Sequence, residues 1–147
     1  MKQFHPEDRV LTVSIRISPR NLERITAGSI SQGAITGLSA LVERPEAYRW
    51  VVALNGYLAA AHEECVAPKA QRSRGGEAAE GDAAAAGKPV FVGCGAHDQV
   101  IPPERAERAA ETLDDAGAEV RFERYGIGHG TTPEEVTDVV EWVGERY

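Results

Sequence analysis

The sequence predicts an α/β fold in which a mostly parallel sheet carries helices on both faces. Short apolar runs of strand length alternate with longer segments whose apolar residues recur at helical spacing. Two of the short runs, 50–54 and 88–93, are apolar without alternation, which is typical of strands covered on both sides. The order strand, helix, strand, insertion, strand, helix, strand, helix favours right-handed crossovers and therefore a parallel sheet.

Length and composition predict one soluble domain spanning residues 1–147. Of the 147 residues, 42% are hydrophobic, which is enough for a core. The net charge is -7 and lysine is scarce, which argues against a nucleic-acid-binding surface. Cys65 and Cys94 make no disulfide framework and match no zinc spacing. With no apolar signal core and no run long enough to cross a bilayer, we expect a cytoplasmic protein.

The first half of the chain contains three predicted strands and one helix. Residues 10–17 alternate apolar and polar side chains as a half-buried strand does, and 24–28 form a second short strand. The run 50–54 is a third strand, which ends at the Asn55-Gly56 dipeptide. Between the second and third strands, apolar residues at helical spacing predict a helix that stops before Pro45: Ala34, Ile35, Leu38, Leu41 and Val42.

The second half begins with a polar segment and then returns to regular elements. Residues 61–87 are dominated by Glu, Arg, Gly and Ala and predict a mobile surface insertion. The strand 88–93 follows, then a helix from Pro103 to a stop at Gly117. Residues 119–125 alternate like an edge strand.

A last helix follows Thr132, which we expect to cap it. Pro133 suits the first helical position, and Glu135 is predicted to close a capping box with Thr132. The predicted apolar stripe of this helix, with Trp142 beside it, consists of Val136, Val139, Val140 and Val143.

The pentapeptide Ser29-Ile30-Ser31-Gln32-Gly33 lies where the second predicted strand gives way to the first helix. A serine with small residues two positions away on each side, at such a junction, is typical of a nucleophile elbow, a strained turn that lifts the hydroxyl above the sheet. Small neighbours are needed because larger side chains would collide with adjacent backbone. Ser31 is therefore a candidate nucleophile, although a serine-rich turn could have the same sequence.

Ser31, Asp98 and His129 each lie in a loop that follows a predicted strand. In a parallel sheet such loops meet at one edge. A serine hydroxyl needs a base to take its proton, and the base works best when a carboxylate fixes its tautomer. The order Ser, Asp, His is also that of the nucleophile-elbow hydrolases. The sequence therefore predicts that these three residues form a catalytic set.

Other interpretations of the same residues stay open. Asp98 can be a turn residue or the partner of an arginine, and His129, between two glycines, can be an exposed loop histidine. His97 is a rival base. Neighbouring side chains on an extended segment diverge, however, so His97 is poorly placed to share the Asp98 carboxylate.

Six segments carry a resemblance to a known family: Arg24-Ile25, Ser31-Gln32-Gly33, Val52 to Leu58, Pro89 to Pro102, Tyr125 to His129 and Pro133-Glu134-Glu135. Together they resemble the phospholipase/carboxylesterase branch of the α/β-hydrolases, which includes acyl-protein-thioesterase-like enzymes. The resemblance implies a truncated α/β-hydrolase fold with Ser31 as nucleophile, Asp98 as acid, His129 as base and the Gln32 N–H as half of an oxyanion hole. It implies cleavage of a small-molecule or lipid ester through an acyl-enzyme, with no metal or organic cofactor.

The chain also departs from the pattern of that family. Ser29 stands where the elbow has glycine, Cys94 stands where the family commonly has histidine, and 61–87 is longer and more polar than the usual connection. Residues 1–23 are atypical, because family members carry further strands there and a His-Gly loop with the second oxyanion donor. The alternative function is therefore a truncated, non-catalytic remnant that acts as a binding or assembly module. Its exposed sheet edge would favour a homo-oligomer.

Overall fold

A computed structural model of the chain describes residues 25–66 and 85–146. Within them, four strands form one parallel sheet in the order in which they occur in the sequence. The strands are β1 (Ile25–Ile30), β2 (Tyr48–Leu54), β3 (Pro89–Gly95) and β4 (Glu119–Tyr125). The helices are α1 (Gln32–Glu43), α2 (Ala60–Val66), α3 (Pro103–Asp115) and α4 (Pro133–Gly144), and a short 3₁₀ turn covers Pro45–Ala47. The predicted α/β class is confirmed.

The core lies on both faces of the sheet, because successive strand residues point to opposite sides. On one face, α1 and α3 pack against alternate residues of β2 and β3, including Val51, Ala53, Val90 and Val92. On the other face, α4 places Trp142 against the residues between them, including Trp50 and Phe91. This two-sided cover explains why β2 and β3 are apolar without alternation.

Aromatic rings fix α4 on its side of the sheet. The Trp142 ring meets Trp50 edge to face, with centroids 6.0 Å apart, and meets Phe91 at 5.7 Å. Edge-to-face packing of this kind adds about 1 kcal/mol to the free energy of burying the rings. Since His129 lies in the loop that leads into α4, the same contacts help to locate that loop.

Three strands extend past the ends that the sequence pattern predicts, and the first of them, β1, includes Ser29 and Ile30. Tyr48 and Arg49 belong to β2, and Cys94 and Gly95 belong to β3. Cys94 and Gly95 look like loop residues in sequence, but their backbone continues to pair with Arg124 and Tyr125 of β4. Parallel pairing depends on backbone groups, so small residues do not end it.

The predicted mobile insertion over 61–87 begins with a helix instead of a loop. Residues 61–66 complete helix α2, which packs between α1 and α3, and the prediction that they form a mobile loop is wrong. Residues 85–87 form a turn that leads into β3. The remainder of the segment, 67–84, and the predicted strand 10–17 lie outside the described residues.

The buried face of α4 differs from the predicted valine stripe. Val136 and Val140 are 45% and 64% exposed, whereas Glu135 and Trp142 are buried. Val139 and Val143 are partly buried against the aromatic cluster. A helix on a sheet buries one row of side chains at spacings of three and four residues, and here that row is centred on 135, 139 and 142. The four valines span two rows, so half of them face outward.

Two further findings concern the surface of this structure. None of the helices in the described ranges is long and apolar enough to cross a membrane. Within residues 25–66 and 85–146, β1 pairs with β2 alone. Oligomerisation through the β1 edge stays a prediction.

Candidate active site

Ser31 occupies a strained turn between β1 and α1. Its backbone angles are φ 56° and ψ -119°, a conformation that L-residues rarely adopt. The turn is held from both sides, because the Ser31 N–H donates to the Leu54 carbonyl of β2 at 2.8 Å and the helix begins at the next residue. This geometry is that of a nucleophile elbow, which presents the hydroxyl at the carboxyl edge of the sheet.

Ser29 takes the place of an elbow glycine, and two glycines of α1 make room for it. A Cβ at Gly33 would lie only 2.9 Å from the Ser29 Cβ, and a Cβ at Gly37 would lie 3.4 Å from its Oγ. The Ser29 hydroxyl is buried and has no hydrogen-bond partner among the described residues. The turn therefore tolerates serine at position 29 because the facing helix positions carry no side chain.

The three residues predicted from the sequence form one chain of hydrogen bonds. The Ser31 Oγ lies 3.0 Å from the His129 Nε2, and the His129 Nδ1 lies 2.6 Å from the Asp98 Oδ2. An ionised carboxylate can only accept, so the Nδ1 carries the proton and donates to Asp98. The Nε2 is then left to accept from the Ser31 hydroxyl, which is the arrangement a general base requires.

Asp98 is the buried end of this chain of hydrogen bonds. Its side chain has no exposed surface, whereas 26% of the His129 side chain is exposed. The Asp98 Oδ1 accepts from the backbone N–H groups of Val100 at 2.8 Å and Ile101 at 2.9 Å. Burial acts to raise the pKa of Asp98, but the hydrogen bond to His129 and the two backbone donors outweigh it and lower the pKa below its ordinary value. Asp98 is therefore ionised at neutral pH and holds the His129 tautomer.

His97 is not brought to the Asp98 carboxylate. His97 is exposed, and its backbone N–H donates to the Ile127 carbonyl at 3.0 Å. His97 thus helps to hold the loop that carries His129, while His129 occupies the position next to the carboxylate.

Gln32 is the first residue of α1 and follows Ser31 directly. The first N–H groups of a helix have no acceptor within the helix, and they carry the positive end of its dipole. The backbone N–H of Gln32 is thus available beside the Ser31 hydroxyl for a developing negative charge. Its predicted part in an oxyanion hole stays a prediction.

Several supports of this site could not be recognised in the sequence. The two N–H groups that donate to Asp98 belong to the backbone, which every residue has, so the sequence does not indicate them. Asn55 reads as part of a turn, yet its side chain is buried and bonds to the Gly130 carbonyl next to His129. The dipeptide Asn55-Gly56 at a strand end was the only signal, and it does not reveal a partner 75 residues away.

The predicted capping box at the start of α4 is half formed. The Thr132 Oγ1 accepts from the Glu135 N–H at 3.0 Å, as predicted. The Glu135 carboxylate turns inward and is buried, and neither of its oxygens reaches a partner within hydrogen-bond geometry among the described residues. The Thr132 backbone nevertheless lies near enough to lower the pKa of Glu135. The carboxylate lies over Gly93, where a Cβ would stand 2.5 Å from the Oε1. The absence of a side chain at Gly93 gives the carboxylate its space.

Burial raises the pKa of Glu135 to about 7, with a smaller contribution from Asp138 in the same direction; the nearby Thr132 backbone offsets part of the shift. The folded protein therefore holds a proton that the unfolded chain, with a pKa near 4.5, releases earlier. This contribution to stability is complete below about pH 4.5 and is lost as the pH rises through about 7.

We expect Glu135→Gln to remove this contribution to the pH dependence. Between pH 5 and 7 the wild type should lose up to about 1.4 kcal/mol of unfolding free energy per pH unit relative to the variant. Urea denaturation at pH 5, 6, 7 and 8 measures the difference. Glu134→Gln is the matched control, because Glu134 is the exposed neighbour on the same helical turn. Parallel pH curves for the wild type and Glu135→Gln would contradict the assignment.

The phospholipase/carboxylesterase family model matches residues 11–145 of this chain. None of the curated proteins matches it. Among solved structures, the esterase PE8 superposes with a TM-score of 0.65 at 22% identity, covering 83% of this chain and 50% of that one. Acyl-protein thioesterase 2 of Zea mays gives 0.64 at 22% identity, covering 88% and 58%.

The Bacillus cereus carboxylesterase gives a TM-score of 0.64 at 24% identity, covering 86% of this chain and 51% of that one. At these identities the superpositions establish the shared α/β-hydrolase fold. This chain spans only 50% to 58% of the length of these three structures. Since the family model covers most of the sequence, the chain belongs to the phospholipase/carboxylesterase family.

Proposed function

We propose that this chain is a serine hydrolase that cleaves carboxylic esters through an acyl-enzyme. The observation that carries the proposal is the unbroken hydrogen-bonded series from the Ser31 hydroxyl through His129 to the buried Asp98. A strained serine at an elbow, with a base at 3.0 Å and an ionised carboxylate behind that base, has all the groups needed for nucleophilic attack.

The acylation half begins when the Ser31 Oγ attacks the ester carbonyl carbon and passes its proton to the His129 Nε2. The negative charge that forms on the carbonyl oxygen is stabilised by the Gln32 N–H, and Asp98 stabilises the imidazolium. Collapse of the tetrahedral species breaks the ester C–O bond. The alcohol leaves with the proton from Nε2, and the acyl group stays on Oγ.

Deacylation repeats the same steps with water as the attacking group. His129 takes a proton from the water as its oxygen attacks the acyl carbon, and the bond to Oγ then breaks. The carboxylic acid leaves and Ser31 regains its proton from His129. No other reagent is needed.

The substrate is proposed as a small-molecule or lipid ester. The family description and the esterases and acyl-protein thioesterase among the structural neighbours support this class. The oxyanion donor that we propose is the backbone N–H of Gln32, at the start of α1. A site with this donor alone should have a kcat about a hundred- to a thousandfold below that of a site with two donors, because each oxyanion donor typically contributes that factor.

A series of p-nitrophenyl esters from acetate to long-chain acids tests the proposal. We expect release of p-nitrophenol with saturation kinetics and a preference for one range of chain length. The reaction should stop after treatment with a fluorophosphonate, which forms a bond with an activated serine. Hydrolysis at no more than the buffer rate for every ester in the series would contradict the proposal.

A further inference from the structure

Asn55 lies at the centre of the carboxyl edge of the sheet. It follows the last residue of β2, Leu54, whose carbonyl accepts from the Ser31 N–H. Asn55 is 1% exposed and has a positive φ of 51°. Asparagine adopts this left-handed conformation more readily than most residues, yet glycine adopts it more readily still. The backbone conformation alone therefore gives no reason for a buried amide.

The Asn55 side chain uses both ends of its amide to join two loops. The Nδ2 donates to the Gly130 carbonyl at 2.6 Å, and the Oδ1 accepts from the Gly95 N–H at 3.0 Å. Gly130 is the residue after His129, and Gly95 is the last residue of β3, directly before the turn that leads to Asp98. One side chain thus bridges the segments that carry the base and the acid.

The loop that carries His129 is held differently on its two sides. Before His129, the Ile127 carbonyl accepts from the His97 N–H at 3.0 Å, and the carbonyls of Ile127 and Gly128 pack so closely on Gly95 that a Cβ there would collide with them. After His129, the Asn55 amide contacts Gly130 before α4 begins at Pro133. Loss of the Asn55 bond would free the loop on that side.

We propose that Asn55 is a positioning residue, whose side chain keeps His129 in line with both Ser31 and Asp98. This inference rests on the proposed hydrolysis, since Asn55 acts only through His129. A shift of about 1 Å in a catalytic group can lower the rate a hundredfold, and the 3.0 Å and 2.6 Å contacts of His129 leave little tolerance.

Two substitutions separate the side chain from the backbone conformation. Asn55→Gly keeps the positive φ and removes both amide bonds. Asn55→Asp keeps the shape and the acceptor for Gly95, but replaces the donor to Gly130 with an oxygen. We expect each to lower kcat for ester hydrolysis by about ten- to a hundredfold, with KM changed less than about threefold.

A readout that does not need turnover is the low-field NMR signal of the proton between His129 and Asp98. We expect this signal in the wild type, and we expect it to be shifted or lost in both Asn55 variants. Val90→Ala is the control, because Val90 is buried near the beginning of β3, at the other end of the strand from Gly95. It should lower the unfolding free energy and leave both kcat and the signal unchanged.

The possible outcomes distinguish the two proposals. If the wild type hydrolyses no ester, the proposed function fails, while the NMR signal still decides whether Asn55 positions His129. If folded Asn55→Gly and Asn55→Asp keep the wild-type kcat and the wild-type signal, the positioning role is wrong and hydrolysis stands. Should Asn55→Gly fail to fold, the isosteric Asn55→Asp decides.

Discussion

Ser31→Ala is expected to lower kcat for ester hydrolysis by about 10⁴- to 10⁶-fold. The change removes the only atom that forms the acyl-enzyme, so His129 and the Gln32 N–H have no intermediate to act on. The strained turn should remain, because it is held by the bond from the residue 31 N–H to Leu54 and by helix α1. Rates measured with the p-nitrophenyl ester that the wild type cleaves fastest give the ratio.

Ser39→Ala is the matched control for this experiment. Ser39 is a half-buried serine of helix α1, which begins directly after Ser31, and it lies outside the site, so its variant should keep the wild-type kcat. Circular dichroism and thermal unfolding show whether both variants fold. A folded Ser31→Ala protein within tenfold of the wild-type kcat would exclude Ser31 as the nucleophile.

Asp98→Asn is expected to lower kcat by about 10³- to 10⁴-fold. An amide at this position can donate to the His129 Nδ1, so the imidazole proton would move to Nε2. The Nε2 could then no longer accept from the Ser31 hydroxyl. The amide oxygen can still accept from the N–H groups of Val100 and Ile101, which preserves the turn. Fluorophosphonate labelling should slow in parallel with kcat.

Asp115→Asn provides the comparison for Asp98→Asn. Asp115 is an exposed carboxylate at the end of α3, and its loss makes the same change in net charge. We expect no change in kcat. A loss of less than tenfold in folded Asp98→Asn would mean that the carboxylate is not required to orient His129.

Local sequence patterns were sufficient to predict the order of the four described strands and of helices α1, α3 and α4, but helix α2 was missed because its residues were assigned to an insertion. The unbroken apolar run of β2 follows from its burial on both faces, whereas β4 alternates charged residues with Val120 and Phe122, which pack against the core. The length of β3 was less predictable, since Cys94 and Gly95 pair with β4 through backbone groups that every residue has. Strand ends therefore depended on partners that the local sequence does not specify.

The proximity of Ser31, Asp98 and His129 was predictable because the three side chains follow strand ends, which meet at one edge of a parallel sheet. The choice of His129 over His97 followed from the divergence of adjacent side chains, and the hydrogen bonds agree with it. Asn55 was not predictable, because its partners are 40 and 75 residues away. A turn signal says that the chain bends, and it does not say what the side chain binds.

The orientation of α4 also depended on tertiary packing. Its four valines indicated one buried stripe, but Trp142 and the space over Gly93 select a neighbouring row that contains Glu135. The large ring fixes the rotation of the helix, and the carboxylate is carried inward with it. Periodicity predicts that a helix has a buried face, and packing decides which residues form it.

Reaction with a fluorophosphonate followed by peptide mass spectrometry tests the central claim most directly. In this reaction the Ser31 Oγ forms a bond to phosphorus, fluoride leaves, and His129 takes the proton, so an assembled site should label without any substrate. The account predicts one adduct per chain, on the peptide that contains Ser31, with labelling much slower in Asp98→Asn. No adduct on the folded protein, or an adduct on a different serine, would contradict it.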